Sequence, residues 1–310
     1  MNRPPRRDST ALNRLATERT NAASKDLDRK SALEIARIIN AQDAKVAAAV
    51  RRALPQIAQA MDLIAAALQR GGRLIYVGAG TSGRIGALDA VECPPTFNAD
   101  PRTVQFVIAG GPKALSAAVE ANEDSRELGE RAIKQKNPGK NDVVVGIAAS
   151  GRTPFTIAAV QYARRKGAKT VAVTCAPKSA LAKAAHLAIV AEVGPEVIAG
   201  SSRMKAGTAQ KMVLNMLSSG AMTRLGYVYG NLMVNVHLKN QKLKHRGIAI
   251  LEQAANIDQA RAEQALQLAG DNVPVALVML KAGVTRTQAE RALKSSRQNV
   301  RQAIALARNL

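Results

Sequence analysis

The sequence has no tryptophan, and aromatic residues make up only 2% of its 310 residues. A buried core must therefore be built from aliphatic side chains, which is feasible because 47% of the residues are hydrophobic. No uninterrupted apolar run approaches the roughly 20 residues that a membrane helix needs. Two cysteines, Cys93 and Cys175, are too few for a disulfide framework and fit a reducing compartment.

Acidic residues are scarce: 23 Asp and Glu stand against 45 Lys and Arg, a formal net charge of +22. Such a charge favours anionic partners. The basic residues are spread along the chain, however, without a long Lys/Arg block, interleaved aromatics or zinc-finger spacing, so specific nucleic-acid binding is not expected. The plainer interpretation is a solvated basic surface that helps to recruit a phosphorylated substrate.

The N-terminal part of the chain is expected to be helical after a short leader. Residues 1–8 are rich in Pro and Arg and predict a disordered leader, and no apolar stretch follows as in a secretory signal. Over Ser9–Gln69 the apolar residues recur every three to four positions, and Pro55 marks the first turn of a new helix. We therefore expect a cytoplasmic protein without a membrane partner, with leader and helices over residues 1–61.

Short apolar runs alternate with helical stretches in the middle of the chain. Continuous hydrophobicity implies strands buried on both faces, and strand–helix–strand repetition implies a parallel sheet with right-handed crossovers. This predicts an α/β fold class: a doubly wound five-stranded parallel sheet over residues 62–226, with N-terminal helices and a C-terminal helical region over residues 227–310. The predicted strands are Leu74–Val77, Val104–Ala109, Val143–Ala148, Thr170–Thr174 and Leu187–Ala191.

The first predicted strand ends in a glycine loop in which Gly78, Gly80 and Gly83 match G-x-G-x-x-G. A dinucleotide site also needs an acidic residue at the end of the next strand, where Phe106–Gly111 contains neither Asp nor Glu. An ATP-binding P-loop needs Lys and then Ser or Thr after its last glycine, where Arg84–Ile85 stand. Neither nucleotide site is therefore expected.

A second polar turn, Ala149–Pro154, follows the third predicted strand. Backbone N–H groups at a loop leading into a helix suit a phosphate monoester, and the hydroxyls of Ser82, Ser150 and Thr153 can add hydrogen bonds. Either loop alone is equally well explained as a helix cap, because Ser and Thr are preferred N-cap residues. Two such loops in one sheet favour phosphate binding at its carboxyl edge.

Ser201, Ser202 and Lys205 lie at the start of a long helix predicted over residues 204–225. A pair of hydroxyls at a helix start suits an anion, and Lys205 could meet a carboxylate. A capping turn with a solvated lysine explains the same residues as well. No His-x3-His or Cys-x2-Cys spacing occurs in the sequence, so no metal site is expected.

Four longer segments resemble the SIS-domain family of N-acetylmuramic acid 6-phosphate etherases, and the resemblance runs from about Thr17 to the C-terminal helices. Members of that family use water to cleave the lactyl ether of their substrate, releasing N-acetylglucosamine 6-phosphate and D-lactate. The resemblance implies a SIS-type sheet, a homodimer with its active site near the interface, and no metal or redox cofactor. The segments are Gly78–Arg84 continued by Ala90–Thr96, Glu120–Arg126, Val144–Pro154, and Gly200–Lys211.

The resemblance also implies roles for individual residues. Glu92 is expected as the acid and base on the lactate side, Glu123 as the base at C2, and Glu120 as a contact to sugar hydroxyls. Taken alone, Glu92 and Glu123 are each more readily explained as a solvated or salt-bridged surface residue. The expected substrate and phosphate contacts are Gly80, Thr81, Ser82, Ser150, Gly151, Thr153, Ser201, Ser202 and Lys205.

Two functions from different classes remain to be compared. The first is a carbon–oxygen lyase that acts on a small phosphosugar during the reuse of cell-wall sugars. The second is a non-catalytic SIS-domain protein that binds a phosphosugar and regulates a partner, and it would share the loops of Ser82 and Ser150. The pair of Glu92 and Glu123 favours the enzyme, because binding alone does not require two acid–base groups.

Overall fold

A computed structural model describes residues 18–117, 119, 122–236, 238 and 240–309. The predicted leader lies outside these residues. The chain forms two compact units, the first of residues up to Ala90 together with Arg102–Leu217, the second of Val91–Pro101 together with Ser218–Leu310. The predicted domain limits at residues 61 and 226 stay predictions.

The first unit contains a sheet of five parallel strands, which are β1 (Leu74–Gly78), β2 (Val104–Ile108), β3 (Val143–Ile147), β4 (Lys169–Thr174) and β5 (Leu187–Val190). Their order across the sheet is β2-β1-β3-β4-β5. β1 lies between β2 and β3, so that Leu74 is level with Val104 on one side and Val143 on the other. The five-stranded parallel sheet expected from the sequence is confirmed.

Eight α-helices begin in the described part of the first unit, and two of them end in the second. Leu54, Pro55 and Gln56 form the first turn of the third of these helices, where proline is tolerated because its missing N–H would have no intrahelical partner. The helices are α1 (Ala32–Asp43), α2 (Val46–Arg52), α3 (Leu54–Gln69), α4 (Gly80–Phe97), α5 (Arg126–Gln135), α6 (Pro154–Arg165), α7 (Ala180–Ala184) and α8 (Lys205–Leu225).

Helices cover both faces of the sheet. Ile75 and Val77 of β1 belong to one buried cluster with Ile133 of α5 and with residues of α6. The intervening Tyr76 points to the opposite face, where its hydroxyl lies 2.8 Å from Asp89 Oδ2 of α4. Burial on both faces explains why the strands read as continuous apolar runs, and the doubly wound arrangement is confirmed.

The strand order creates a switch point between β1 and β3. Because the chain leaves β1 toward β2 on one side, while β3, β4 and β5 follow on the other, the loops after β1 and β3 diverge from adjacent strand ends. Gly78 at the end of β1 is level with Ile147 at the end of β3. A crevice is expected where these loops diverge.

The opposite ends of β1 and β3 are joined by an ion pair. Arg73 Nη2 lies 2.7 Å from Asp142 Oδ2, and the main-chain N–H of Arg73 donates to Asp142 Oδ1 at 2.8 Å. Burial alone would raise the pKa of the Asp142 carboxyl, but the hydrogen bonds from Arg73 and from Gly139 N–H outweigh it and lower that pKa. This pairing fixes the register of the two strands that lead to the crevice.

The second unit is helical, as expected, with its own core around buried residues such as Leu251, Leu277 and Ile304. Each helix follows a residue whose side chain accepts an N–H of the first turn, namely Asn240, Asp258, Asn272, Thr285 or Asn299. No helix among the described residues has an apolar stretch long enough to cross a membrane. The helices are α9 (Gln241–Ala255), α10 (Gln259–Leu268), α11 (Val273–Ala282), α12 (Arg286–Ser295) and α13 (Val300–Ala307).

Candidate functional site

A cavity of about 550 Å³ lies in the first unit at the loops that follow β1 and β3. The switch point of the sheet therefore carries a pocket, where the topology places one. The cavity brings together several residues predicted from the sequence as parts of a phosphosugar site. These are Gly80, Thr81, Ser82, Glu123, Ser150, Thr153 and Ser202.

Gly80 begins α4 in a left-handed conformation, with φ of +50°. A Cβ atom on this residue would lie 2.9 Å from Oε1 of Glu123. Only glycine therefore allows the loop to turn into the helix and lets the Glu123 carboxylate approach the main chain. Thr81 and Ser82 continue the first turn of α4, where helical N–H groups lack intrahelical partners.

Glu123 lies in a turn between β2 and α5, and its side chain is half-buried. Its carbonyl oxygen accepts a hydrogen bond of 3.1 Å from the main-chain N–H of Phe155, in the first turn of α6. Ser125 ends the turn by capping α5, since its hydroxyl accepts the N–H of Leu128 at 3.1 Å. The main chain thus holds Glu123 between the glycine loop and the loop after β3.

The loop after β3 supplies Ser150 and Thr153 to the cavity. Thr153 is the N-cap residue of α6, yet its side chain makes no capping hydrogen bond. Gly151 has φ of +63° and does not line the cavity, and a Cβ atom there would lie 2.2 Å from Oγ of Ser179. Glycine is required at position 151 for a steric reason, because the loop passes so close to Ser179 that a side chain cannot fit.

The start of α8 differs from the sequence expectation. Glu196, which is fully buried, caps this helix: its carboxylate accepts the N–H of Lys205 at 3.0 Å and the N–H of Ala206 at 2.9 Å. Ser201 does not line the cavity, whereas Ser202 does. The helix start therefore already holds a carboxylate of the protein itself.

Lys205 is not the solvated or ligand-facing lysine that the sequence suggested. The residue is 2% exposed, and its ammonium donates to Val193 O at 2.9 Å and to Gln42 Oε1 at 3.3 Å. Burial lowers the pKa of this ammonium, while the negative charge of Glu196 opposes that shift. The structure thus places Lys205 inside the protein rather than in the cavity lining, and the sequence interpretation of this residue is corrected accordingly.

Three charged residues of the lining were not singled out in the sequence. Arg84 follows the glycine loop and donates through Nη2 to Ala117 O at 2.7 Å. Asp124 follows Glu123, and Glu18 comes from the N-terminal segment. Arg84 and Asp124 lie within the segments Gly78–Arg84 and Glu120–Arg126, so the sequence does carry a signal for them. Nothing in the local sequence around Glu18 links it to loops so far along the chain.

The structure describes only one of the two remaining predicted glutamates, Glu92 and Glu120. Glu92 is exposed and lies on the part of α4 that belongs to the second unit, so its meeting with Glu123 stays a prediction. Glu120 lies outside the described residues.

Among the described residues, no cluster of three or more His, Cys, Asp and Glu side chains has the arrangement of a metal site. Burial, together with the charge of Glu196, raises the pKa of the Cys175 thiol to about 12.

The sequence that forms the sheet matches a known class of domain. Residues 56–164 match the glucokinase regulatory protein N-terminal SIS domain, and residues 134–219 match the SIS domain. Among solved structures, a phosphoheptose isomerase from Francisella tularensis has 20% identity and a TM-score of 0.48, covering 63% of this chain and 100% of that one. The two domain matches place the chain in the class of SIS-domain proteins.

Whole-chain relatives narrow the class to one family. The chain is 59% identical to the N-acetylmuramic acid 6-phosphate etherase of Symbiobacterium thermophilum, over 88% of this chain and 91% of that one. It is 51% identical to the enzyme of that name from Aeromonas hydrophila, over 92% and 96% of the two chains. The chain belongs to the N-acetylmuramic acid 6-phosphate etherase family, which confirms the resemblance seen in the sequence.

Proposed function

We propose that this protein is an N-acetylmuramic acid 6-phosphate etherase, a carbon–oxygen lyase that releases D-lactate and leaves N-acetylglucosamine 6-phosphate. The observation that carries the proposal is the identity of 59% with a relative of that name over 88% of the chain. The cavity supports it, because the glycine loop, the Ser150 loop and Glu123 line one pocket at the switch point.

The reaction needs an acid and a base because an ether is a poor leaving group. In the open-chain aldehyde form of the sugar, a base removes the hydrogen at C2, which is acidified by the adjacent carbonyl. The electron pair then forms the C2–C3 double bond as the C3–O bond breaks, and an acid protonates the departing lactate oxygen. Water finally adds its hydroxyl to C3 and a proton to C2, so that the acid partner now serves as base.

In this proposal Glu123 takes the C2 proton and Glu92 serves the lactate oxygen and then the water. The position of Glu123 supports its part, because its carboxylate lies against Gly80 at the mouth of the first loop. The two groups need different protonation states at the start of the cycle, one ionised and one protonated. Glu92 has the matching sequence context, Ala90–Thr96, in which the chain resembles the family.

The phosphate is proposed to bind at Gly80–Ser82 and at Ser150 and Thr153. The side chains of Thr81, Ser82 and Thr153 make no hydrogen bond within the described part of the chain, so their hydroxyls remain available to a ligand. Helical first-turn N–H groups beside these hydroxyls favour an anion. Arg84 is a basic residue of the lining and can add positive charge.

A homodimer in the cytoplasm completes the proposal. The family resemblance implies a site near a subunit interface, and exposed apolar side chains on α4, namely Leu88 at 41% and Val91 at 57% exposure, support burial against another chain. The substrate class, a phosphorylated cell-wall sugar, and the two free cysteines fit an intracellular reducing compartment.

The non-catalytic regulator is the weaker alternative. It would explain the phosphate loops but neither the family membership nor the carboxylate that lies against Gly80. The discriminating property is turnover, since a regulator binds the phosphosugar and releases it unchanged.

D-lactate release from N-acetylmuramic acid 6-phosphate tests the proposal, with hydrogen exchange at C2 followed in deuterated water. We expect the wild type to do both. Glu92→Ala is expected to keep the C2 exchange and to lose lactate release by a factor of at least about 10³, and Glu123→Ala to lose both, as removed acid–base groups do. Exchange retained by Glu123→Ala alone would reverse the two roles.

Glu127→Gln is the matched control, because Glu127 is exposed on α5 close to Glu123 in sequence and does not line the cavity. It is expected to release lactate within about twofold of the wild type, as distant surface changes do. A folded wild type that binds the sugar phosphate but releases no lactate would support the regulator.

A further inference from the structure

The N-terminal segment delivers a carboxylate to the cavity. Glu18 lines the same pocket as Gly80, Ser150 and Ser202. Its Oε2 lies close to Gly200: a Cβ atom on Gly200 would be 3.2 Å from this oxygen. Gly200 has a left-handed conformation, with φ of +78°. The carboxylate thus approaches the main chain of the loop before α8, at a residue that has no side chain to separate them.

A partly buried network holds this segment in place. Asn21 Nδ2 donates to Gln42 Oε1 and to Pro195 O, both at 3.0 Å. Gln42 is 5% exposed, and its Oε1 also accepts from Lys205 Nζ at 3.3 Å. Since Lys205 begins α8, the network ties the segment of Glu18 to the loop that contributes Gly200 and Ser202. Asn21 therefore anchors the main chain three residues from Glu18.

The chemistry of an ionised carboxylate restricts what Glu18 can do in this pocket. It accepts hydrogen bonds and donates none, and it repels phosphate and carboxylate groups. The proposed substrate has two anionic groups, the phosphate and the lactyl carboxylate, and several neutral donors, its hydroxyls and its acetamido N–H. Only the neutral donors are suitable partners for Glu18.

We propose that Glu18 contacts the substrate, accepting a hydrogen bond from a neutral donor of the sugar and disfavouring its anionic groups at that end of the cavity. This inference rests on the proposed function for the identity of the sugar. Glu18 acts as a specificity-determining group: it orients the sugar so that the phosphate lies at Gly80–Ser82, and it takes no proton in the reaction.

The test compares two kinds of ligand, sugar phosphates and inorganic phosphate, whose affinities should change in opposite directions. In Glu18→Ala, the KM for N-acetylmuramic acid 6-phosphate and the Kd for N-acetylglucosamine 6-phosphate are expected to rise about 10- to 100-fold, as for loss of a hydrogen bond to a charged group. Inorganic phosphate should bind about two- to fivefold more tightly at low salt, because a negative charge has left the cavity. kcat is expected to stay within about threefold, since the contact is made in ground state and transition state alike.

Two further variants separate contact from damage. Glu18→Gln keeps an acceptor oxygen and loses the charge, so it should bind phosphate as tightly as Glu18→Ala while losing less affinity for the sugar phosphates. Asp28→Asn removes an exposed carboxylate of the same segment that does not line the cavity, and it should change neither ligand's affinity. Weaker binding of both ligands in Glu18→Ala would indicate a distorted loop and overturn the proposal.

Asn21→Ala tests the anchoring. It should reproduce part of the KM increase in the wild-type background and add little in the Glu18→Ala background, because both changes remove the same contact. Additive effects would mean that Asn21 does not act through Glu18.

The outcomes also separate this inference from the proposed function. A wild type that releases lactate, with Glu18→Ala equal to it in KM and Kd, disproves the role of Glu18 and leaves the etherase intact. A wild type that binds N-acetylglucosamine 6-phosphate without releasing lactate disproves the etherase, and the two Kd values then still decide the role of Glu18. A wild type that binds no sugar phosphate counts against both.

Discussion

The main-chain N–H of Phe155 donates a hydrogen bond of 3.1 Å to the carbonyl oxygen of Glu123. This N–H belongs to the first turn of α6, where a helix has donors without intrahelical partners. The bond therefore satisfies the helix and fixes the turn that carries the proposed base. The two loops of the cavity are consequently connected through Glu123, and movement of one loop displaces the carboxylate as well.

Gly80→Ala is expected to lower kcat/KM by at least about 100-fold. The new Cβ atom would lie 2.9 Å from Glu123 Oε1, so the carboxylate must move from the glycine loop, and small misplacements of catalytic groups cost about this much. D-lactate release measures the effect. Gly71→Ala is the control: its φ of +75° gives a similar backbone strain, but nothing lies within 4 Å of the new Cβ. An equal loss in both variants would show that strain alone explains the result.

Asp142→Asn is expected to reduce the free energy of unfolding by about 3 kcal/mol at pH 7, because the partly buried guanidinium of Arg73 loses its charge partner. Since the hydrogen bonds from Arg73 lower the folded-state pKa of Asp142, its contribution is present above the unfolded pKa and is lost as the pH falls below about 4. Denaturant unfolding over this pH range should show the difference between variant and wild type shrinking toward acid.

The exposed pair Arg165–Glu130, at 3.0 Å, provides the control for Asp142. Glu130→Gln should cost less than about 0.5 kcal/mol, because solvent screens exposed ion pairs. A difference between Asp142→Asn and wild type that stayed constant down to pH 3 would contradict the linkage to this carboxyl.

Cys175 is expected to be inert toward thiol reagents in the folded protein. Burial, with the nearby Glu196 charge, raises its pKa to about 12, so that roughly one molecule in 10⁴ carries the thiolate at pH 8. In a Cys93→Ser background, reaction with a disulfide reagent should proceed at least about 10³-fold faster in guanidinium than in buffer. Lys183→Cys places a thiol at an exposed position and should react at once. Rapid native labelling of Cys175 would contradict its burial.

Much of the sheet could be predicted because its signal is local. The expected run Val104–Ala109 differs from β2, Val104–Ile108, by one residue, and the same continuous hydrophobicity marks the other strands. The glycine loop after β1 could be recognised because Gly78, Gly80 and Gly83 are close in sequence. Motifs of this kind place residues at a strand end, and the sheet topology then brings the strand ends together.

The parts that could not be predicted depend on contacts between distant segments. Hydroxyls beside Lys205 suggested an anion at the start of α8, but the carboxylate there is that of Glu196, nine residues earlier. Lys205 itself is directed inward by Gln42, which is 163 residues away in sequence. Glu18 likewise reaches the cavity from the N-terminal segment. Such long-range polar contacts leave no periodic pattern in the sequence.

The last prediction concerns this inward-facing pair. Glu196→Gln is expected to destabilise the protein by about 2–4 kcal/mol, because a fully buried carboxylate that accepts two helix N–H groups is replaced by an amide with one acceptor oxygen. Adding Lys205→Met should recover at least about 1 kcal/mol relative to the sum of the single changes. The double variant has no buried ammonium, so no buried charge is left without a counter-charge. Denaturant unfolding measures both effects. Glu192→Gln, on the exposed part of the same segment, should be neutral, and strict additivity of the two buried changes would show that Glu196 and Lys205 are not coupled.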